Sequence, residues 1–378
     1  MGGQAVIEGV LMRSPHGFAV AIRHPHDGKI VVNSQPYTPL TRRVKFLGLP
    51  FLRGVASLFE MMFIGIKALN YSVSEWETSM RIKEGQENQD SIVIEEFKNS
   101  DHLKENRSSG ENLKQSGGNS LTVAFTIALG LGLAIFLMVI LPNLLTSLVG
   151  RIWHEPAPTE ATVTYHEGTT ETRLAPSERS ALVEEQHPFL YNIISGCFRA
   201  IILLLYIVAI SFIKDVRRVF EYHGAEHKAV YAFEKEGAVS VEAAEKYTTH
   251  HPRCGTSFLA VVILVSIVVF ALIAQGVAAL WPGFTTLPFL LKKLFLIGLH
   301  ILFLPLVAGS AYEIIKISSK YYDKFWGFRL LVYPGLLFQR ITTREPDKSQ
   351  LEVAVESLKA ALDLSRDNNK EKGIQGNV

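Results

Sequence analysis

Four long apolar stretches decide what this chain can become. Residues 121–149 carry no charged side chain, and residues 193–213, 257–281 and 289–315 carry few. Each is long enough to cross a hydrocarbon core of about 30 Å, for which a helix needs about 20 residues. Lipid offers no hydrogen bonds, so each stretch has to satisfy its own backbone as a helix. The short turn Pro282-Gly283-Phe284 makes the last two antiparallel neighbours. The expectation is an α-helical multi-pass membrane protein with about four transmembrane helices.

The segments between the spans differ in character. Residues 1–45 read as a small β unit. Phe18–Arg23 and Lys29–Asn33 are rich in β-branched residues and bracket Asp27-Gly28, a hairpin signal. Residues 46–81 are apolar at first but carry Arg53, Glu60 and Lys67 after Pro50, which predicts a re-entrant or interfacial helix. Residues 82–120 are rich in Glu, Asn, Lys, Ser and Gly, the composition of a flexible linker. Residues 150–192 form a Glu-rich loop, and 214–256 a helix and loop. Residues 316–378 begin with an interfacial aromatic segment. They end in an amphipathic helix striped by Leu351, Val355, Leu358 and Leu362.

Basic residues set the orientation. In a four-span arrangement Lys214, Arg217 and Arg218 lie on the same side as Lys316, Lys320 and Lys324, and the rim of Arg42, Arg43 and Lys45 joins them. The positive-inside rule then places both termini and the 214–256 region in the cytoplasm, and the Glu-rich loop outside. Arg151, Arg199, Lys292 and Lys293 sit at the opposite ends, where long side chains snorkel to the outer interface. Met1–Val10 lacks the basic start and apolar core of a cleavable signal. With 38 Lys and Arg against 36 Asp and Glu, the chain has no basic surface for nucleic acid. Its two cysteines build no disulfide framework.

The chemistry concentrates just after the second span. His223, Glu226 and His227 form an H-x-x-E-H string. At about 100° per residue these three share a helix face with Val216, Val219, Phe220 and Val230. Two imidazoles and a carboxylate on one face suit a zinc ion with Glu226 as general base. A buried carboxylate has the raised pKa that acid–base work needs. A further ligand is required, and three residues compete for the place. The loop before the third span carries three metal-capable side chains, His250, His251 and Cys254, of which Cys254 or His250 is well placed to supply it. Glu313 at the end of the fourth span matches the distal glutamate of inverted zinc motifs. The same loop also reads as a plain helix start, capped by Thr256 or Ser257. His300, in the middle of the fourth span, is a separate ionisable group at membrane depth. Glu8 reaches the site only if the β unit docks over it.

Four segments together resemble a known family: Gly2–Arg13, Glu221–Lys228, His251–Ser257 and Thr342–Pro346. The chain resembles the YqhQ family of bacterial multi-pass membrane proteins of unknown function. The resemblance covers nearly the whole chain except the linker and the Glu-rich loop. Such proteins are commonly labelled metal-dependent enzymes. Carried over, the label points to His223, Glu226, His227 and Cys254. The expected function is a zinc-dependent hydrolase at the cytoplasmic membrane face, acting on a membrane peptide or a lipid-linked compound. Two alternatives stand beside it. One is a membrane scaffold or assembly factor with a structural His/Cys/Glu cluster. The other is a transporter using His300. The lipid bilayer is the one partner the sequence names, and it gives no oligomeric state.

Overall fold

The computed structural model describes residues 1–83, 120–153, 187–251, 254–284, 287–321 and 324–371. The expected linker at 82–120 and Glu-rich loop at 150–192 fall almost wholly outside the described residues, as does the end of the chain after 371.

Ten helices of the described residues build the fold. They are α1 (Leu52–Lys83), α2 (Ser120–Ile135), α3 (Leu141–Trp153), α4 (Pro188–Ile210), α5 (Lys214–Glu236), α6 (Val241–Glu245), α7 (Gly255–Leu280), α8 (Phe289–Lys320), α9 (Trp326–Thr342) and α10 (Lys348–Glu371). A π-helical turn, Phe136–Ile140, joins α2 to α3. Among the described residues four stretches are long and apolar enough to cross a membrane: Ala128–Gly150, Phe189–Ile210, Gly255–Leu280 and Leu294–Ser318. The multi-pass architecture expected from the sequence is therefore present. Large apolar side chains on these helices point outward, among them Phe125, Leu129, Leu205, Leu272 and Ile301. In water such a surface would be unfavourable; toward lipid tails it carries no penalty.

The N-terminal unit is larger than a hairpin. Strands β1 (Gly2–Val6), β2 (Gly9–Arg13), β3 (Gly17–Arg23) and β4 (Ile30–Pro36) form one antiparallel meander in the order β1-β2-β3-β4. Its register pairs Gly3 with Met12, Leu11 with Val20 and Ala21 with Val32. Alternation along the strands gives the sheet two apolar faces. Val6, Leu11, Phe18, Val20 and Ile22 pack on Ile64 and Ala68 of α1. Val10, Met12, Ala19 and Ala21 pack on Tyr222, Ala225 and Ala229 of α5 and on Leu351, Val355 and Leu358 of α10. The sheet is thus the middle layer of an α/β/α sandwich, and the tail helix docks on it. Sequence distance hid this. Elements at the two ends of the chain and one from its middle close a single core.

The segment expected to be re-entrant or interfacial opens with a 3-10 turn, Lys45–Gly48, and is then filled by the unbroken helix α1 from Leu52. One side covers the sheet while Phe59, Met62, Phe63 and Ile66 are exposed on another. Its start is tied to the fourth span, where Arg53 grips both oxygens of Glu313 at 2.7 and 2.5 Å. Buried Glu60 binds Arg13 at 3.2 Å and the Tyr37 hydroxyl at 2.8 Å. Helix α1 is therefore the strut between the sandwich and the spans.

Candidate metal centre

Helix α5 leaves the second span after a break at residues 211–213 and ends where Gly237 turns left-handed at φ 67°. From Tyr222 to Val230 every residue is buried. The histidine and glutamate face therefore looks into protein. The residues between the histidines explain their own presence. A side chain at Gly224 would overlap the carbonyl of Arg344, because the 343–347 segment crosses α5 there. The crossing is pinned by Arg344 N–H donating to Phe220 O at 2.9 Å. Ala225 lies in the sandwich core.

The ligand-capable atoms of His223, His227 and Cys254 all lie within 4.8 Å of one another, and all three residues are buried. His223 Nε2 is 3.2 Å from Cys254 Sγ. The histidine rings meet edge to face at 4.5 Å. On the far side of each ring a backbone carbonyl fixes the imidazole. His223 Nδ1 lies 2.8 Å from Thr342 O, and His227 Nδ1 is bonded to Thr249 O. A carbonyl only accepts, so each Nδ1 carries the proton and each Nε2 presents a lone pair toward the cluster. This is the outer shell typical of metal-bound histidine. Among the described residues the buried His227 Nε2 makes no hydrogen bond of good geometry, and the Cys254 thiol is the side chain it interacts with. Burial also holds His227 below the ordinary histidine pKa, so the ring stays neutral and able to ligate.

Cys254 comes from the N-cap of the third span. Its sulfur accepts from Thr256 N–H at 3.3 Å, at the positive end of the α7 dipole. The cap expected of Thr256 or Ser257 is thus Cys254 itself. Glu226 completes the group, with Oε2 4.0 Å from His223 Nε2. Burial pushes its carboxyl above the usual carboxylate range, against the opposing pull of His223 and His251. Strand β1 lies directly on it. Gly3 N–H bonds to Glu226, and a Cβ at Gly3 would come within 2.8 Å of Glu226 Cγ.

Not every expected ligand reaches this place. Glu313 is held by Arg53, and its Oε1 also accepts from Phe51 N–H at 3.4 Å, so its oxygens are spent on α1. His250 stands outside the cluster, with Nδ1 3.2 Å from Thr248 Oγ1. Its neighbour His251 turns inward instead. The His251 ring lies 5.9 Å from His227, and its Nε2 is 3.3 Å from Glu234 Oε2. His300 lies against Phe270 at 4.2 Å between two spans. The sheet does dock over α5, but Glu8 pairs with Arg218 at 2.7 Å and with the Tyr222 hydroxyl at 3.2 Å rather than entering the cluster. The sequence marked His251 as metal-capable beside His250 and Cys254, but nothing in it showed that the Thr249 and Thr342 carbonyls or the Gly3 N–H would face the cluster.

A tetrahedral zinc centre sets nitrogen and sulfur ligands about 3.5 Å apart. The ligand atoms of His223, His227 and Cys254 lie within 4.8 Å of one another, and a small inward movement of the side chains would bring them to that spacing. A family model described as "Protein of unknown function (DUF1385)" matches residues 49–364. The "Uncharacterized protein YqhQ" of Bacillus subtilis (strain 168) is 30% identical over 365 residues, which is 96% of this chain and 92% of that protein. No solved structure matches the chain.

Proposed function

The chain belongs to the DUF1385 family, and from that premise we propose that it is a zinc-dependent hydrolase embedded in the membrane. His223, His227 and Cys254 hold the ion, and Glu226 is the general acid–base. One observation carries the reading. Two buried imidazoles and a buried thiol bring their ligand atoms within 4.8 Å of one another, and both rings are pre-oriented by backbone carbonyls. Zinc in such a donor set supplies Lewis acidity, lowering the pKa of water toward neutrality and polarising a carbonyl or phosphoryl group. The chain's own part is orientation and proton movement. Thr342 and Thr249 lock the imidazoles. Glu226, its affinity for a proton raised by burial, takes one from the attacking water and returns it to the leaving group. The cluster sits between the end of the second span and the start of the third, facing the cytoplasm by the positive-inside rule. A membrane peptide or a lipid-linked compound is the substrate class such a position serves.

A second reading has its own observation. Strand β1 closes over Glu226, as a structural clamp between sheet and spans would require. Glu226→Gln separates the two. A hydrolase with this substitution keeps its metal and fold but fails to complement a strain lacking the protein. A clamp tolerates the change and complements fully, which would overturn the hydrolase reading.

A further inference from the structure

We infer that Gln339 is a positioning residue of the metal centre, locking the loop that carries Cys254 where its thiol meets the two histidines. The inference rests on the metal-centre reading above. Gln339 is fully buried on α9. Its Oε1 accepts from His251 N–H at 2.8 Å, and its Nε2 donates to His251 O at 2.8 Å and to Ser257 Oγ at 2.7 Å. One side chain therefore holds the backbone three residues before Cys254 and the side chain three residues after it. Both donors and the acceptor of the amide are engaged, which fixes its orientation.

The placement follows from helix spacing. Gly335, Gln339 and Thr342 recur at four and three residues, on one face of α9. Gly335 lets that face press against Ser257, where a Cβ would fall within 2.7 Å of its Cα. One turn on, Gln339 grips the loop. Three residues further, the Thr342 carbonyl orients His223. The gripped His251 lies two residues after Thr249, whose carbonyl orients His227. All three ligand side chains thus take their position, directly or through the loop, from this face of α9. Removing the amide would leave the buried N–H and C=O of His251 competing for other partners. The loop would then shift Cys254, and with it the Thr249 carbonyl that orients His227, relative to His223.

The test uses the full chain in lipid nanodiscs, stripped with chelator and titrated with cobalt(II) and zinc(II). Cobalt reports the thiolate through its sulfur-to-metal charge-transfer band. The wild type is expected to bind one ion with that band present. Gln339→Leu is expected to weaken zinc binding about 10–100-fold, the usual effect of losing an outer-shell partner, and to diminish or shift the band. Ser257→Ala, which removes one of the three bonds, is expected to fall between and serves if the leucine variant does not fold. Phe338→Leu, a buried neighbour on α9 that packs on Ile207 and Ala260, is expected to lower the melting temperature without moving the band. Wild-type affinity and an unchanged band in Gln339→Leu, or in Ser257→Ala where it must stand in, would overturn the positioning role while leaving the metal centre intact. A wild type that binds neither ion would instead overturn the metal centre itself.

Discussion

Glu226 is the residue whose ionisation shapes the site. Burial favours its protonated form, so the folded state binds that proton more tightly than the unfolded chain does. By linkage the resulting stabilisation is fully present below the unfolded value of about 4.3 and is lost as pH rises through the raised folded value. Glu226→Gln has no such dependence. In the chelator-stripped protein the variant should therefore melt close to wild type near pH 4 and above it at pH 7. Melting curves at the two pH values check this, and a gap that closes as pH rises would contradict it. The sequence made His223, Glu226 and His227 legible because helix periodicity puts them on one face. It made Cys254 legible as a metal-capable side chain before a span. It could not choose His251 over His250, since the turn of a loop decides which of two adjacent rings points inward. Nor could it find the Thr342 and Thr249 carbonyls, because backbone groups leave no mark in residue type.

At the scale of elements, the tail helix α10 ties the two ends of the chain together. Leu351, Val355 and Leu358 are buried against the sheet, and Ser357 Oγ bonds to Ala19 O at 3.0 Å. The stripe was legible as amphipathic periodicity, but its target was not. A helical stripe says that something covers it without saying what. Leu358→Ala should cost about 2–5 kcal/mol of sandwich stability. The expected outcome is early proteolysis within the N-terminal unit and α10 with the spans still protected, read by limited digestion in nanodiscs. Equal loss of protection in spans and sandwich would mean that the two unfold as one unit. Strand alternation made β3 and β4 readable around Asp27-Gly28. The pairing of glycine-rich Gly2–Val6 with β2 was harder to see, because glycine carries no side-chain alternation. Glu313 shows the opposite failure. Its position near a span end suited a ligand, but Arg53, remote in sequence, claims both of its oxygens.

Among the described residues the molecule joins four helices long and apolar enough to span a membrane to an α/β/α sandwich, with the His/Cys/Glu cluster at their junction. The spans were the plainest part of the sequence, since length and hydropathy alone decide them. The sandwich was the least plain, because its layers come from residues 1–36, 52–83, 214–236 and 348–371. Orientation rests on the basic residues around Lys214 and Lys316. A green fluorescent protein fused after Val378 should fluoresce and an alkaline phosphatase fused there should be inactive; the reverse pattern would place the cluster outside. Elemental analysis of the full chain, purified gently without chelator, decides whether this junction holds a metal. Close to one zinc ion per chain is expected, lost in the His223→Ala/His227→Ala double variant. A wild type without stoichiometric metal, or a double variant that keeps it, would overturn the metal centre.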